Sequence, residues 1–367
     1  MFAPRIFSDL LRQYRATGAD LPFGNRELAH DVAVEGHYWN LTDVRAGRTV
    51  IAFAGINASA EGHWANLGLA ASNGFIRTLD FPTASADPER FGVRAGTAFR
   101  ADEGHLHVDL GPDARLDLRI DDLIRIPQAR CGGISRGQTI PGLSQYWHPW
   151  LLGGRATGVV RIGSDEWTFD GAEVYSEKNW GTEGFPDAWW WGQAQGFGGG
   201  SGESVSSRDD DVAPGGGACV AFAGGMVTAG PLRKELTAIV VRLPDGRVLW
   251  FGNPVVSPVK TNIEPESWHL VGRSALWRVE IRAHAALDGA HVLPIPVPSA
   301  RYEIAGAIEH LTGTLEVRVS RLGEPVWRGI SYLAALENGG IPLAAAELRR
   351  RGAPPDATGA PPLCTRP

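Results

Sequence analysis

The chain has 367 residues, of which 43% are hydrophobic and 21% are charged, which excludes a disordered chain and allows one large domain or two ordinary ones. Its net charge is −6, so it lacks the basic surface that binds nucleic-acid phosphates, and we expect no nucleic-acid partner. The 47 glycines and 25 prolines favour short strands and turns and argue against a helical bundle.

The N-terminal region predicts one helix and no targeting segment. Residues 6–15 place Phe7, Leu10, Leu11 and Tyr14 at helical spacing, which is typical of a short amphipathic helix. The N-terminus has no apolar core of roughly 7 to 15 residues followed by a cleavage site, and the chain has no apolar run of about 18 residues. We therefore expect a cytoplasmic protein that does not span a membrane.

From about residue 34 the pattern changes to short strands separated by turns. The runs predicted as strands are 49–54, 105–110, 115–120, 155–162, 167–169, 236–243, 247–251, 275–283 and 313–321. A short helix is predicted at 343–350, and the C-terminal segment 346–367 is expected to be disordered beyond it. The predicted fold class is all-β, with antiparallel strands in a sandwich or barrel.

A weak internal repeat indicates two related β domains in tandem. In each copy an aromatic-rich segment precedes an apolar one; the pairs are 35–40 with 50–55, and 187–192 with 219–224. We place the first domain at 1–183 and the second at 184–345. The polar, low-complexity stretch 198–217 interrupts the second copy and is interpreted as a flexible hairpin loop without chemistry.

Several motifs have ordinary explanations. Residues 133–137 match the GxSxG pattern of serine hydrolases, but no helical periodicity follows to aim the serine hydroxyl. His105, His107 and Asp109 share one face of a predicted strand, and we interpret them as a solvated face rather than a metal site. The cysteines are too far apart for a zinc pair or a disulfide scaffold, and we expect reduced thiols at Cys131, Cys219 and Cys364. No metal site is predicted.

The segment 174–193 is the densest candidate for function. It places Lys178, one of only three lysines in the chain, directly between Glu177 and Asn179. These side chains are either catalytic or form an ion-paired corner that joins two β domains. The residues alone support both interpretations equally.

This segment and others around it resemble the tocopherol cyclase family. The matching motifs are Glu35-Gly-His-Tyr-Trp, His148-Pro-Trp with Gly153, Gly154 and Gly158, Tyr175-Ser-Glu-Lys-Asn-Trp-Gly, Gly184-Phe-Pro, Trp189-Trp-Trp with Gln193, and Ala334-Ala-Leu-Glu-Asn-Gly-Gly. The similarity extends over roughly residues 30–340 and is strongest over 146–197. The chain departs from the family pattern at His37, where tryptophan is usual, in the 198–217 insertion, and in a shortened middle of the first domain.

The resemblance implies two lipocalin-like antiparallel β-barrels in tandem. It also implies protonation of a prenyl double bond on a hydroquinone and closure of a chromanol ring by the phenolic oxygen, with no metal or redox cofactor. Through the resemblance, Glu337 and Asn338 of the closing strand are assigned to substrate binding. Related folds include carotenoid hydratases and pericyclases, so the fold alone does not determine the reaction.

Protonation of an alkene requires an acid that stays protonated near neutral pH, such as a carboxyl group buried in an apolar cavity. Glu35 and Glu177 are the candidates, with His148 as an alternative donor or as the base for the phenol proton. Lys178 is next to Glu177 in the sequence, and a nearby cation lowers the pKa of a carboxyl group. This favours an ion-paired structural role for Glu177 unless the lysine side chain points elsewhere. Glu35 has no adjacent charge in the sequence.

The carbocation formed next is stabilised mainly by aromatic faces. The residues assigned to substrate binding from the motifs are Tyr38, Trp39, Lys178, Asn179, Trp180, Trp189, Trp191 and Gln193. Because alternate residues of a strand share a face, we expect Trp191 and Gln193 to line the cavity and Trp190 to be core.

Two other functions would use the same features. A carotenoid or terpene hydratase would admit water to quench the cation, and its alcohol product would contain solvent oxygen. A non-catalytic lipid or quinone carrier would use the aromatic barrel without an acid. In every case the partner is a small hydrophobic isoprenoid, for which peripheral association with a membrane is expected, and no obligate protein partner is implied.

Overall fold

The computed structural model describes residues 3–127, 132–199 and 217–353. Most of the predicted loop at 198–217 and the predicted tail beyond residue 353 lie outside the described residues, as do Cys131 and Cys364. The described chain consists mainly of antiparallel strands in two sheets, preceded by one helix and followed by another. The predicted all-β fold with a short N-terminal helix is confirmed.

The first sheet contains twelve strands from residues 34–181. In chain order these are β1 (Val34–Asp43), β2 (Arg48–Ser59), β3 (Gly62–Ala71), β4 (Ile76–Phe81), β5 (Ser85–Ala86), β6 (Val93–Ala95), β7 (Phe99–Ala101), β8 (His105–Asp109), β9 (Ala114–Asp121), β10 (Tyr146–Leu151), β11 (Arg155–Ile162) and β12 (Asp165–Gly181). Their order in the sheet is β4-β3-β2-β1-β12-β11-β9-β8-β7-β6-β5, and β10 also pairs with β12.

The second sheet contains eleven strands from residues 189–339. They are β13 (Trp189–Ala194), β14 (Gly198–Gly199), β15 (Cys219–Ala229), β16 (Leu232–Arg242), β17 (Val248–Phe251), β18 (Val259–Glu264), β19 (Ser267–Arg273), β20 (Trp277–His284), β21 (His291–Val297), β22 (Tyr302–Arg321) and β23 (Glu324–Gly339). The main path is β17-β16-β15-β13-β23-β22-β20-β19-β18, with β14 on β23 and β21 on β22.

Helix α1 spans Ala3–Arg15 and helix α2 spans Ile341–Arg350. Arg12 and Arg15 lie in the last turn of α1, where positive charge is favourable against the helix dipole. Both predicted helices are therefore present, each beginning a few residues earlier than its apolar periodicity indicated. Among the described residues no helix is both long and apolar enough to cross a membrane.

Every predicted strand coincides with an observed one, because alternating or continuous β-type runs bounded by turns are a strong signal. On β8, Leu106 and Val108 are buried while His105 and His107 face outward and both contact Asp117 at 3.0 Å. This confirms the interpretation of the histidines as a solvated strand face. The short strands β5 to β7 were not predicted, since two or three residues carry no periodicity, and the longer strands β3, β4, β18, β19 and β21 were not predicted either.

The described residues form four apolar cores, three of which lie on the sheets, while the fourth packs Ala19 and Val32 of the N-terminal segment near Trp180. One lies within the first sheet and includes Trp39, and another lies within the second and includes Phe222. The third joins the two sheets and includes Ile51, Ala70 and Val240. Strands that fill the first two cores with one face contribute their other face to this third core. The faces of the two sheets that meet each other are therefore apolar too.

Strand alternation on β12 separates two sets of polar residues. Tyr175, Glu177 and Asn179 face the second sheet, whereas Lys178 and Trp180 face the N-terminal segment that packs on the first sheet. Neighbours in sequence therefore stand in different environments, as the two-residue period of a strand requires.

Gly158 on β11 illustrates a position that only glycine fits. Its φ is +149°, and an added Cβ would overlap the carbonyl oxygen of Asp117 on the paired strand β9. We expect Gly158→Ala to lower the free energy of unfolding by about 1–3 kcal/mol, measured by urea denaturation. Gly184→Ala is the control, because nothing lies within 4 Å of its added Cβ, and its effect should stay within about 0.5 kcal/mol. Equal stability of the two variants would contradict this reading.

Candidate functional site

A cavity of about 610 Å³ lies between the two sheets. Strands β1, β2, β3, β10 and β12 form one wall, and β13, β15, β16, β21, β22 and β23 form the other. The segment 134–143 and the loop containing Phe185 and Pro186 close part of the perimeter. The volume is within the range of about 300–1,000 Å³ that is usual for small-molecule sites.

Eight aromatic rings line this cavity. They are Tyr38, Phe53, Tyr146, Trp147, Phe185, Trp189, Trp190 and Trp191. Tyr38 and Trp191 come from different sheets and meet edge to face with ring centroids 5.0 Å apart. Such rings suit an apolar ligand, and their faces attract a cation by roughly 0.5–2 kcal/mol each.

Three carboxyl groups, those of Glu177, Glu309 and Glu337, stand in this apolar lining. Glu177 Oε2 accepts three hydrogen bonds: from Trp147 Nε1 at 2.7 Å, Trp191 Nε1 at 2.7 Å and Tyr175 OH at 2.5 Å. Burial raises the pKa of Glu177, and these three donors oppose that shift because they stabilise the charged form.

Glu309 and Glu337 lie on the paired strands β22 and β23, directly opposite each other. Tyr38 OH donates to Glu309 Oε1 at 2.6 Å, and Trp189 Nε1 donates to Glu337 Oε1. Burial, and next the charge of Glu337, raise the pKa of Glu309 well above its usual range. Burial raises the pKa of Glu337 to about 7.

Burial raises the pKa of all three carboxyls, but their surroundings differ in how strongly they favour the protonated form. The protonated form is favoured most at Glu309, because burial and the charges of Glu337 and Glu177 outweigh its single donor, Tyr38. Glu177 ionises most easily, because three donors converge on one of its oxygens. Adjacent groups whose environments separate their pKa values are the usual arrangement of an acid and a base in catalysis.

A second buried polar cluster lies on the other face of β12. Lys178 Nζ contacts Glu35 Oε1 at 2.5 Å and donates to Leu28 O at 2.5 Å. His30 contacts Asp20 at 2.6 Å, and its backbone N–H donates to Glu35 Oε2 at 2.9 Å. These contacts tie the segment between α1 and β1 to the first sheet, so the cluster is structural.

Lys178 does not lower the pKa of Glu177, because the two side chains point to opposite faces of β12, which is the exception that the sequence left open. Lys178 pairs instead with Glu35, which has a charged neighbour in space although it has none in the sequence. Burial by itself raises the pKa of Glu35, but Lys178, His37 and His30 outweigh it and hold this pKa well below its usual range. Glu35 is thus a carboxylate and not a proton reservoir.

The structure also places His148, Trp39 and Trp180 outside the cavity lining. His148 is opposite Lys178 in the β10–β12 ladder, and burial lowers its pKa well below the usual range. Trp39 belongs to the core of the first sheet, and the ring of Trp180 stacks on His30 at 4.0 Å. These three residues support the fold around the site.

Of the residues that the sequence selected, those lining the cavity are Tyr38, Glu177, Asn179, Trp189, Trp191 and Glu337. Gln193 is fully buried outside the lining, contrary to expectation. Asn338 donates to the carbonyls of Glu264 and Pro265 at 3.1 and 3.2 Å and secures a turn instead. Trp190 packs against the second core as expected and also reaches the cavity.

Sequence reasoning missed Glu309, Trp147 and Phe53. Glu309 lies in β22, which begins eleven residues before the predicted strand. Its signal was the pair Glu309 and His310 between the apolar residues Ile308 and Leu311. An acid between apolar residues is rarely buried without a function.

The sequence profile of the protein family described as "Tocopherol cyclase-like" matches residues 144–340. A probable tocopherol cyclase, chloroplastic, of Oryza sativa subsp. japonica is 41% identical over 216 residues, which are 55% of this chain and 41% of that protein. A tocopherol cyclase, chloroplastic, of Zea mays is 40% identical over 63 residues, 17% of this chain and 13% of that protein. The chain therefore spans less than half the length of these two relatives.

Solved structures share the fold. The crystal structure of CghA aligns with a TM-score of 0.52 and 12% identity, over 84% of this chain and 88% of that chain. The crystal structure of CghA with Sch210972 gives a TM-score of 0.51 and 14% identity, over 84% and 89%. At this identity the similarity concerns the architecture alone.

Proposed function

This chain belongs to the tocopherol cyclase-like family, and on that basis we propose that it closes a ring on a prenylated hydroquinone, or a related isoprenoid, to give a chromanol-type product. One observation carries the proposal: Glu309, whose pKa is raised well above its usual range by burial, lies in the wall of an apolar cavity that eight aromatic rings line. Such a cavity holds an apolar substrate and provides the acid that alkene protonation needs.

Glu309 is the proton donor. Tyr38 donates its hydroxyl proton to Oε1, so the carboxyl proton resides on Oε2, which has no hydrogen-bond partner among the described residues. Oε2 gives this proton to the less substituted carbon of a prenyl double bond. A tertiary carbocation forms at the other carbon.

The carbocation is stabilised by the rings of Tyr38, Trp189 and Trp191, since it has no hydrogen bonds to make. The phenolic oxygen then bonds to the cationic carbon and releases its proton to the Glu177 carboxylate. Transfer of this proton within the group of three carboxyls restores Glu309. One proton enters and one leaves, so the product is an isomer of the substrate.

Incubation with a prenylated hydroquinone in deuterated buffer tests the proposal. The expected product is an isomer of the substrate in which one hydrogen is replaced by a deuterium that does not exchange with water. A product that contains oxygen from labelled water would instead identify a hydratase. Substrate that binds tightly and is recovered unchanged would identify a carrier, and either result would overturn the cyclase assignment.

A further inference from the structure

Three loops lie side by side at one end of the second sheet, and together we call them the loop edge. They are 252–258 before β18, 274–276 between β19 and β20, and 322–323 between β22 and β23. The backbone N–H of Arg273 donates to Pro258 O at 3.1 Å, and that of Leu322 donates to Leu276 O at 2.9 Å. Since β18, β19, β20, β22 and β23 are neighbours in the sheet, the loop edge is continuous over four strand spacings, roughly 19 Å.

The loop edge presents four aliphatic side chains to solvent. Val255 is 85% exposed and Val256 is 66% exposed in the first loop. Leu276 is 46% exposed and Leu322 is 71% exposed in the other two. Because they project from separate loops, a fluid lipid surface can surround each of them, whereas a protein partner would have to match the shape of all three loops.

The exposure of Leu322 comes at a conformational cost. Leu322 and Gly323 form a two-residue turn between the paired residues Arg321 and Glu324, with φ values of +52° and +94°. Turns with two positive φ values favour Asn-Gly, because a leucine is strained in the left-handed region. The exposed leucine gains no packing within the chain that offsets this strain. Its side chain is therefore better explained by a contact outside the chain.

The first loop of the edge is held in a fixed shape and reaches the cavity. Asn253 Oδ1 accepts hydrogen bonds from the backbone N–H groups of Val255 at 2.9 Å and Val256 at 3.1 Å. The loop therefore holds the two valines outward. The residues just before them, Gly252, Asn253 and Pro254, belong to the lining of the cavity between the sheets. The loop edge thus continues into the cavity wall.

The charge beside the exposed aliphatic side chains is positive. The segments 252–260, 271–280 and 319–326 contain four cations, Lys260, Arg273, Arg278 and Arg321, and two acids, Glu280 and Glu324. This part of the surface carries net positive charge although the whole chain has a net charge of −6. Lys260 and Arg273 make no ion pair with another described residue, so their charges are available to an external anion.

We propose that the loop edge docks on the surface of an anionic lipid membrane. The four aliphatic side chains enter the boundary between head groups and acyl chains, and Lys260 and Arg273 contact lipid phosphates. This inference goes beyond the proposed function, because it holds whichever reaction the cavity performs. Docking by this edge brings the cavity wall at Pro254 to the bilayer, where an apolar ligand dissolves.

The test is flotation of the full chain, without substrate, with vesicles of phosphatidylcholine alone or with roughly 30% phosphatidylglycerol added. The unmodified protein should bind both and bind the anionic vesicles more tightly. Leu322→Asn should weaken binding to both about tenfold, because it removes an inserted apolar side chain. Its unfolding midpoint in urea should be unchanged or higher, since asparagine suits the positive φ. Val255→Ser should weaken binding roughly five- to tenfold.

The matched control for the valine is Val159→Ser, an exposed valine on β11 of the first sheet, which should bind as the unmodified protein does. Arg273→Gln should weaken binding about three- to fivefold on anionic vesicles alone. Its control is Arg45→Gln, an exposed arginine between β1 and β2, which should have no effect.

Two results would overturn the docking surface: an unmodified protein that binds neither kind of vesicle, or loop-edge variants that bind as tightly as the unmodified protein. Retention on immobilised polyglutamate without vesicle binding would identify an acidic protein as the partner and would also overturn it. Because no substrate is present, the deuterium experiment decides ring closure separately.

Discussion

Glu309→Gln is expected to reduce the rate of product formation by at least about 100-fold, because it removes a general acid whose loss costs roughly 10²–10⁴ in rate. Glutamine has nearly the same shape and can still accept the hydrogen bond from Tyr38 at its oxygen. It has no acidic proton to give. The measurement is initial velocity with a prenylated hydroquinone. The Kd of an unreactive hydroquinone with a fully saturated branched tail is measured as well and should change little.

The matched control for this variant is Glu316→Gln, which changes another glutamate of β22 that pairs with Arg318 and Arg328 at the surface. Its velocity should equal that of the unmodified protein.

The acid must be protonated to act, so turnover should be constant across neutral pH and fall as the pH rises toward the raised pKa of Glu309. Turnover that persists in Glu309→Gln would assign the proton to another group.

Lys178→Met is expected to lower the free energy of unfolding by about 3–5 kcal/mol, because it leaves the buried Glu35 carboxylate without its cation. The substitution also removes the donor to the Leu28 carbonyl. Urea denaturation measures the loss. Turnover per folded molecule should be nearly unchanged, since the lysine faces away from the cavity.

The exposed Lys260 supplies the control, and Lys260→Met should change stability by less than about 0.5 kcal/mol. The double variant Lys178→Met with Glu35→Gln should recover much of the lost stability, because no uncompensated charge remains in the interior. A Lys178→Met protein of normal stability but without turnover would show that the lysine acts in catalysis.

Many of the strands could be predicted from the sequence, because each of these depends on its own local pattern. Runs such as Arg155–Ile162 alternate between buried and exposed positions and end at turn residues. The pairing of β1 with β12 joins segments about 140 residues apart, and no local pattern encodes it. The position of the cavity between the sheets depends on such pairings and was not predicted.

Part of the site could also be predicted from a local pattern within one strand, whereas the part that depends on long-range contacts could not. The segment 174–193 contributed Glu177, Asn179 and two tryptophans of the lining, since alternation within one strand assigns its faces. The sequence left open whether Lys178 pairs with Glu177, because its actual partner, Glu35, is on another strand. Glu309 belongs to the site because it contacts Tyr38, which is 271 residues away in the sequence.

The walls of the cavity belong to separate sheets that are joined across it by the hydrogen bonds from Tyr38 to Glu309 and from Trp191 to Glu177. Its width is therefore set by how closely the sheets dock, and not by the curvature of either one. The packing residues Ile51, Ala70 and Val240 fix that separation without lining the cavity. Because packed layers can slide or tilt as rigid bodies, a change of volume at these positions alters the size of ligand accommodated while every chemical group of the site is retained.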